Sequence, residues 1–163
     1  MNNRGPLDRH VAVVTGAGSG IGKGIGLRFL RSGARLVASD LYEDRLSSLA
    51  DEAETLGIDK SRILAVVGDV TDFDFTKNLM AKSVEKFGKL DILVNNAGGS
   101  LGLSGIPFVK TDKTQWDPTI NLNLYGVLNC TRWALPHMIE RKYGKIINLG
   151  STTGMGDSAD GGD

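Results

Sequence analysis

The sequence is poor in cysteine, in long apolar runs and in aromatic residues, and the first two shortages exclude whole classes of protein. It has 163 residues and one cysteine, Cys130, so it cannot form an intrachain disulfide. Cys130 lies in an apolar helical stretch and is predicted to be a buried structural thiol. No apolar run approaches the ~20 residues that a membrane-spanning helix needs. The first eight residues lack the apolar core of a signal peptide, so a reducing, cytoplasmic location is expected.

Charge of one sign is also lacking. Lysine and arginine together number 19, as do aspartate and glutamate, so the formal net charge is zero. We therefore expect neither a nucleic acid nor an anionic membrane as a partner. Hydrophobic residues make up 40% of the chain, as in ordinary globular proteins. With no repeat and no linker, residues 1–163 are predicted to belong to a single domain.

Glycine, in contrast, is concentrated in one informative stretch. Residues 11–14 are four apolar residues typical of a buried strand, and the motif Thr15-Gly16-x-x-x-Gly20-x-Gly22 follows them directly. A strand, a glycine-rich turn and a helix N-terminus together form a cradle for phosphate groups. The alternative, a flexible glycine loop, is disfavoured by the strand before the turn and the helix after it. The residues predicted to contact a dinucleotide here are Gly16, Ser19, Gly20, Ile21 and Gly22.

Apolar periodicity predicts strands and helices in alternation along the chain. The predicted strands are 10–14, 35–39, 62–67, 90–94 and 145–149, and the predicted helices are 21–31, 43–56, about 72–87 and about 115–141. This alternation predicts an α/β fold with a Rossmann-like, doubly wound parallel sheet in the order 3-2-1-4-5. The last helix is apolar on more than one face, which predicts burial by the sheet and by a second subunit. Pro136 is expected to kink it. The first helix contains Gly24 and Gly26, and the cost of about 1 kcal/mol for each is expected to be compensated by close packing of the helix on the sheet.

A glycine or a polar residue stands just after the end of each predicted strand. These residues are Gly16, Asp40, Asp69, Asn95 and Ser151. Because ligands of such sheets bind beyond the carboxyl ends of the strands, the five residues are expected to surround one site.

Asp40 lies about 20 residues after the glycine turn, where an acidic residue binds the adenosine ribose of a dinucleotide. A carboxylate there would repel a 2′-phosphate, so NAD is predicted in preference to NADP. Ser19 offers no positive charge in the turn, although Arg45 could reach the site. Asp40 could instead cap the following helix. Asp69 and Val70 are predicted to contact the adenine edge.

Taken with the glycine motif, the sequence Asn95-Asn96-Ala97-Gly98 resembles the short-chain dehydrogenase/reductase (SDR) family. The resemblance covers about residue 10 onwards, and it implies that Asn95, Ala97 and Gly98 line the cofactor site. Asn123 lies in the middle of the long, mostly apolar last helix and is therefore expected to be buried. The resemblance implies that Asn123, in Asn123-Leu-Tyr-Gly126, holds a water of a proton relay; Asn121 is the alternative. In the same way, Ser151 matches the serine that hydrogen-bonds the substrate oxygen, and its alternative role is in a turn.

The sequence departs from the family pattern at one point. The family's Tyr-x-x-x-Lys pair, which supplies the general acid/base, is absent from these residues. Its place would fall just beyond Asp163, so the chain is expected to be truncated from a longer enzyme with a seven-stranded sheet. The resemblance implies an NAD-dependent oxidoreductase acting on an alcohol or ketone, and a homo-oligomer, dimer or tetramer. The alternative is a non-catalytic dinucleotide-binding fragment or module. No metal is predicted.

Overall fold

The structure is a computed structural model, and it describes residues 5–151. Strands and helices alternate as the apolar periodicity predicts. The strands are β1 (Val11–Thr15), β2 (Arg35–Asp40), β3 (Ile63–Val67), β4 (Ile92–Asn95) and β5 (Lys145–Asn148). The α-helices are α1 (Gly20–Arg31), α2 (Glu43–Thr55), α3 (Phe73–Phe87), α4 (Lys113–Ile120) and α5 (Gly126–Glu140). Short 3₁₀ turns occupy Lys60–Arg62 and Phe108–Lys110.

The five strands form one parallel sheet in the order β3-β2-β1-β4-β5, which confirms the predicted topology. In the centre of the sheet, Val13 pairs with Val37 of β2 on one side and with Leu93 of β4 on the other. The strand order reverses between β1 and β4. The carboxyl ends of these two strands therefore flank the crevice in which doubly wound sheets bind their ligands.

An apolar cluster covers each face of the sheet. On one face, α1 and α2 pack on the sheet through residues such as Leu30, Leu46 and Leu49, which are at most 1% exposed. On the other face, α3 and α5 contribute Leu79, Met80, Cys130, Ala134 and Met138. Cys130 is buried as predicted, and desolvation raises the pKa of its thiol to about 12. It is therefore a structural residue.

The long helix predicted for residues 115–141 is interrupted. A π-helical turn, Asn121–Tyr125, separates α4 from α5, and the N–H of Gly126 donates to the carbonyl of Asn121. The Asn123 amide donates to the carbonyl oxygen of Thr119 at 2.8 Å, four residues earlier, where an α-helix would place a backbone N–H. This competition accounts for the interruption. Beyond it, α5 continues through Pro136 to Glu140.

Close packing on the sheet, expected to compensate for the two glycines inside α1, is found at only one of them. A Cβ on Gly26 would lie 3.0 Å from Cδ2 of Leu36, so that glycine permits close packing of the helix on the sheet. A Cβ on Gly24 would meet no atom within 4 Å, so packing does not explain that glycine. Within residues 5–151, no helix is long and apolar enough to cross a membrane.

Candidate dinucleotide site

A groove of about 380 Å³ opens at the carboxyl ends of β1, β2, β3 and β4. Its volume is within the range of small-molecule and cofactor sites. Nine of the predicted cofactor-binding residues line it: Gly16, Ser19, Gly20, Ile21, Asp40, Asp69, Val70, Ala97 and Gly98. The structure thus brings together residues that are as many as 82 positions apart in the sequence, because parallel strands end at a common edge.

The glycine turn forms the floor at one end of the groove. Gly16 and Gly20 have φ angles of 61° and 52°, a conformation that favours glycine. Helix α1 then begins after Ser19, whose side chain makes no capping hydrogen bond, and its first turn contains no acidic residue. The first backbone N–H groups of α1 and the positive end of its dipole are therefore available to an anion. Gly22 lies behind the turn, against the backbone of Gly16.

Thr15 fastens the segment after β4 to this turn. Its hydroxyl oxygen accepts hydrogen bonds from the backbone N–H groups of Asn96, at 3.1 Å, and Ala97, at 3.0 Å. The Asn96 amide donates to the carbonyls of Thr15 and Gly16, at 3.0 and 3.1 Å. The motif after β4 predicts that its asparagine side chains tie strand ends together, whereas no role is predicted for Thr15. The tertiary bonds of Thr15 and Asn96 show that they hold two walls of the groove in register.

Asp40 presents a buried carboxylate to the groove and is 7% exposed. Its Oδ2 accepts the N–H of Gly18 at 2.9 Å, and its Oδ1 accepts the N–H of Tyr42 at 3.2 Å. Because each carboxylate oxygen can accept more than one hydrogen bond, both can also bind ligand hydroxyls. The N-cap of α2 is Tyr42, so Asp40 does not take the alternative role of helix cap.

Arg45 also lines the groove, and its Cζ lies 4.2 Å from the centre of the Tyr42 ring. A positive charge and a buried negative charge therefore both border this end. The remaining lining residues that the sequence did not single out are Ser39, Leu41, Tyr42, Gly68, Asn96 and Leu122. Ser39 directly precedes Asp40, and its buried hydroxyl has no hydrogen-bond partner within the described part of the chain.

Four predicted site residues do not line the groove: Gly22, described above, and Asn95, Asn123 and Ser151. Asn95 is buried at the end of β4, and its amide donates to Asn148 Oδ1 at 2.8 Å and to the Thr131 hydroxyl at 3.2 Å. It therefore ties β4 to β5 and to α5. Asn123 was expected to be buried, but it is exposed. Its side chain bonds both the N–H and the carbonyl of Gly99, at 3.0 and 2.8 Å, and so anchors the loop after β4.

Ser151 is exposed and follows β5 by three residues. It does not line the groove described above. The polar residues after Ser151, which the sequence predicts to form a loop, lie outside residues 5–151. Within those residues, no group of three histidine, cysteine, aspartate or glutamate side chains is placed to hold a metal ion.

Comparison with known proteins agrees with this geometry. A family model described as short chain dehydrogenase matches residues 10–161. The chain therefore belongs to the short-chain dehydrogenase family, as its motifs indicated.

Individual relatives have several activities. The chain is 40% identical over 149 residues to a 3-oxoacyl-[acyl-carrier-protein] reductase of Thermotoga maritima, covering 91% of this chain and 58% of the relative. It is 39% identical over 150 residues to 3beta-hydroxysteroid dehydrogenase 2 of Eggerthella lenta, covering 91% and 56%. It is also 37% identical over 151 residues to an NADP-dependent 3-hydroxy acid dehydrogenase of Salmonella typhi, covering 93% and 58%. The chain thus spans less than two thirds of each relative.

Solved structures show the same fold. A short-chain dehydrogenase/reductase of Burkholderia xenovorans superposes with a TM-score of 0.85 at 33% identity, over 93% of this chain and 60% of that one. Glucose dehydrogenase of Caenorhabditis elegans gives a TM-score of 0.80 at 32% identity, over 91% and 57%.

Proposed function

We propose that this chain forms the NAD(H)-binding part of an oxidoreductase that interconverts an alcohol and a ketone. The single observation that carries the proposal is the groove that a glycine cradle and the buried carboxylate of Asp40, joined by a hydrogen bond from Gly18, line together. Family membership supports hydride transfer as the reaction class. When bound, the dinucleotide would supply hydride chemistry at nicotinamide C4.

The groove residues fit such a cofactor. The N-terminus of α1, with Ser19, Gly20 and Ile21, would receive the pyrophosphate. Asp40 would accept hydrogen bonds from the adenosine ribose hydroxyls, while Asp69 and Val70 would flank the adenine. Ala97 and Gly98 would border the cofactor on the β4 side. Their small size lets the backbone approach a ligand closely.

The preference for NAD over NADP rests on Asp40. A 2′-phosphate placed beside this buried carboxylate would bring two negative charges together in a partly desolvated groove. Arg45 would attract such a phosphate, but its guanidinium lies over the Tyr42 ring. We expect the buried carboxylate to dominate, because it is the less hydrated of the two charges, although one relative is named as NADP-dependent.

For the chemical step, we propose that Ser151 hydrogen-bonds the substrate oxygen. Asn123 is proposed to serve the proton relay. Since its side chain holds the Gly99 loop, its contribution would include the position of that loop. The step would also need the general acid/base tyrosine and the lysine that the family resemblance implies.

Assembly as a homo-oligomer is proposed from one face of the α4–α5 region. Ile120, Leu124, Leu128, Leu135 and Ile139 recur at intervals of four or seven residues, and each is 39–69% exposed. A contiguous exposed apolar face of this kind is typical of a protein interface. Sedimentation of the protein and of Leu128→Lys would test it, since the charged variant should sediment as a smaller species.

The decisive test of the cofactor proposal is a fluorescence titration that measures the affinities of the protein for NADH and for NADPH. NADH should bind the protein at least about tenfold more tightly than NADPH does, which is a difference of about 1.4 kcal/mol in binding free energy. Asp40→Ala should reduce this ratio, and Asp51→Ala, at an exposed position in α2, is the matched control. Equal affinities in the unmodified protein would contradict the NAD preference, and no binding of either would contradict the function.

The alternative proposal is a non-catalytic dinucleotide-binding module, and a measurement of turnover distinguishes it from an enzyme. The assay needs a protein that also carries the Tyr-x-x-x-Lys pair, because these residues lack it. If that protein binds NADH but reduces no ketone across a broad panel, the module is favoured.

A further inference from the structure

The loop between β3 and α3 forms one wall of the groove. Val70, at its centre, is 6% exposed and lines the groove together with Asp69. The loop is partly closed on itself, because Asp69 Oδ1 accepts the N–H of Thr71 at 2.8 Å and its carbonyl accepts the N–H of Asp72 at 3.1 Å. These local bonds shape the turn, but they do not fix its distance from the rest of the groove.

Helix α5 contacts this loop from the side away from the groove. The side-chain amide of Asn129 donates to the carbonyl of Val70 at 3.1 Å and to the carbonyl of Thr71 at 3.3 Å. One turn earlier, a Cβ on Gly126 would lie 2.9 Å from Cγ2 of Val70. The hydrogen bonds draw the loop towards the helix, while the Gly126 contact sets how close it comes.

The helix that makes these contacts is itself well anchored. Cys130, Ala134 and Met138 of α5 are at most 5% exposed and belong to the same apolar cluster as Val70. Asn129 therefore connects the loop to the packed interior.

We propose that Asn129 is a positioning residue for the adenine end of the dinucleotide site. It does not line the groove, and it acts by holding the Asp69–Thr71 backbone where Asp69 and Val70 meet the ligand. This inference rests on the proposed function. Loss of the two donated hydrogen bonds would let the loop shift, so the affinity for the adenosine half should fall while the number of sites is unchanged.

The test is calorimetric titration of the protein and of Asn129→Asp with ADP-ribose. The aspartate has nearly the same shape but cannot donate, and its charge would face two carbonyl oxygens. We expect the dissociation constant to rise about tenfold with unchanged stoichiometry, as for the loss of roughly one net hydrogen bond. Asn78→Asp makes the same chemical change at an exposed position of α3, outside the groove lining, and should bind like the unmodified protein.

The possible outcomes separate the two proposals. If the unmodified protein does not bind ADP-ribose, the proposed function fails. If it binds and Asn129→Asp binds equally well, the positioning role fails. A lower stoichiometry at an unchanged dissociation constant, with a lower unfolding temperature, would show a purely structural role and would also overturn the inference. Asn129→Ala, which removes the donors without adding charge, should show the same tenfold change and replaces the first variant if that one does not fold.

Discussion

Strands β2 and β5 lead to two residues of the proposed reaction, yet they are held very differently. β2 ends at Asp40, has a strand on each side and is buried from Leu36 onwards. β5 precedes Ser151, pairs with β4 alone within the described residues, and has exposed residues at both ends. Within residues 5–151, the cofactor end of the site is therefore built into the packed core, whereas the strand that leads to Ser151 makes fewer contacts. One of them is the Asn95–Asn148 side-chain hydrogen bond.

The largest effect should come from truncating matched aliphatic residues in the two strands. Leu36 of β2 is fully buried, so Leu36→Ala should lower the free energy of unfolding by about 2–5 kcal/mol. Ile147 of β5 is 44% exposed, and Ile147→Ala should cost less than about 1 kcal/mol, because little apolar area returns to water. Urea denaturation measures both. Equal losses would show that β5 is as tightly packed as β2.

A somewhat smaller effect is expected at Asp91, which connects β1 to β4. Its carboxylate accepts the N–H of Val11 at 2.9 Å and lies 2.7 Å from Lys89 Nζ and 3.5 Å from Arg141. Asp91→Asn should cost about 3 kcal/mol, the low end for breaking a buried pair, since Lys89 stays partly hydrated.

The control for Asp91 is an exposed ion pair with the same separation. Lys113 and Asp117 also lie 2.7 Å apart, but both side chains are more than half exposed. Asp117→Asn should therefore change the unfolding free energy by no more than about 0.5 kcal/mol. A loss of similar size at both positions would contradict the view that burial makes the difference.

The smallest effect concerns the two glycines of α1, the helix that opens the cofactor cradle. Gly24→Ala should stabilise the protein by up to about 1 kcal/mol, because alanine is the better helix former and the site is open. At Gly26 the same gain should be offset by the contact with Leu36. Thermal unfolding of the two variants gives the sign directly, and a stabilised Gly26→Ala would show that the sheet and helix can separate without loss.

The fold could be predicted because its signals are local. Apolar runs, the glycine turn and polar residues at strand ends together give the strand order, and the order in turn places Gly16, Asp40 and Asp69 at one edge. Nine residues predicted in this way to bind the cofactor line the groove. The role of Thr15 and the hydrogen-bond partners of Asn96 could not be obtained in this way, because the strand order brings strand ends together but does not say which side chains bond across them.

The region around Asn123 marks the limit of periodicity. The apolar pattern there predicts one continuous helix. It cannot show that the Asn123 side chain competes with a backbone N–H for the Thr119 carbonyl. The contact between Asn123 and Gly99 likewise depends on how a loop of the chain folds back. The expected burial of Asn123 was wrong for the same reason, since it was inferred from apolar neighbours in the sequence.

The π turn at residues 121–125 changes the direction in which the side chains after it point around the helix axis. A turn that takes one extra residue advances every later side chain by about 100° around the axis, relative to an uninterrupted helix. Leu122 can therefore reach the groove while Gly126 and Asn129, just beyond the turn, contact the far side of the groove wall. Deletion of one residue within the turn would restore a regular helix, and it would also rotate α5 out of register with the loop that it contacts.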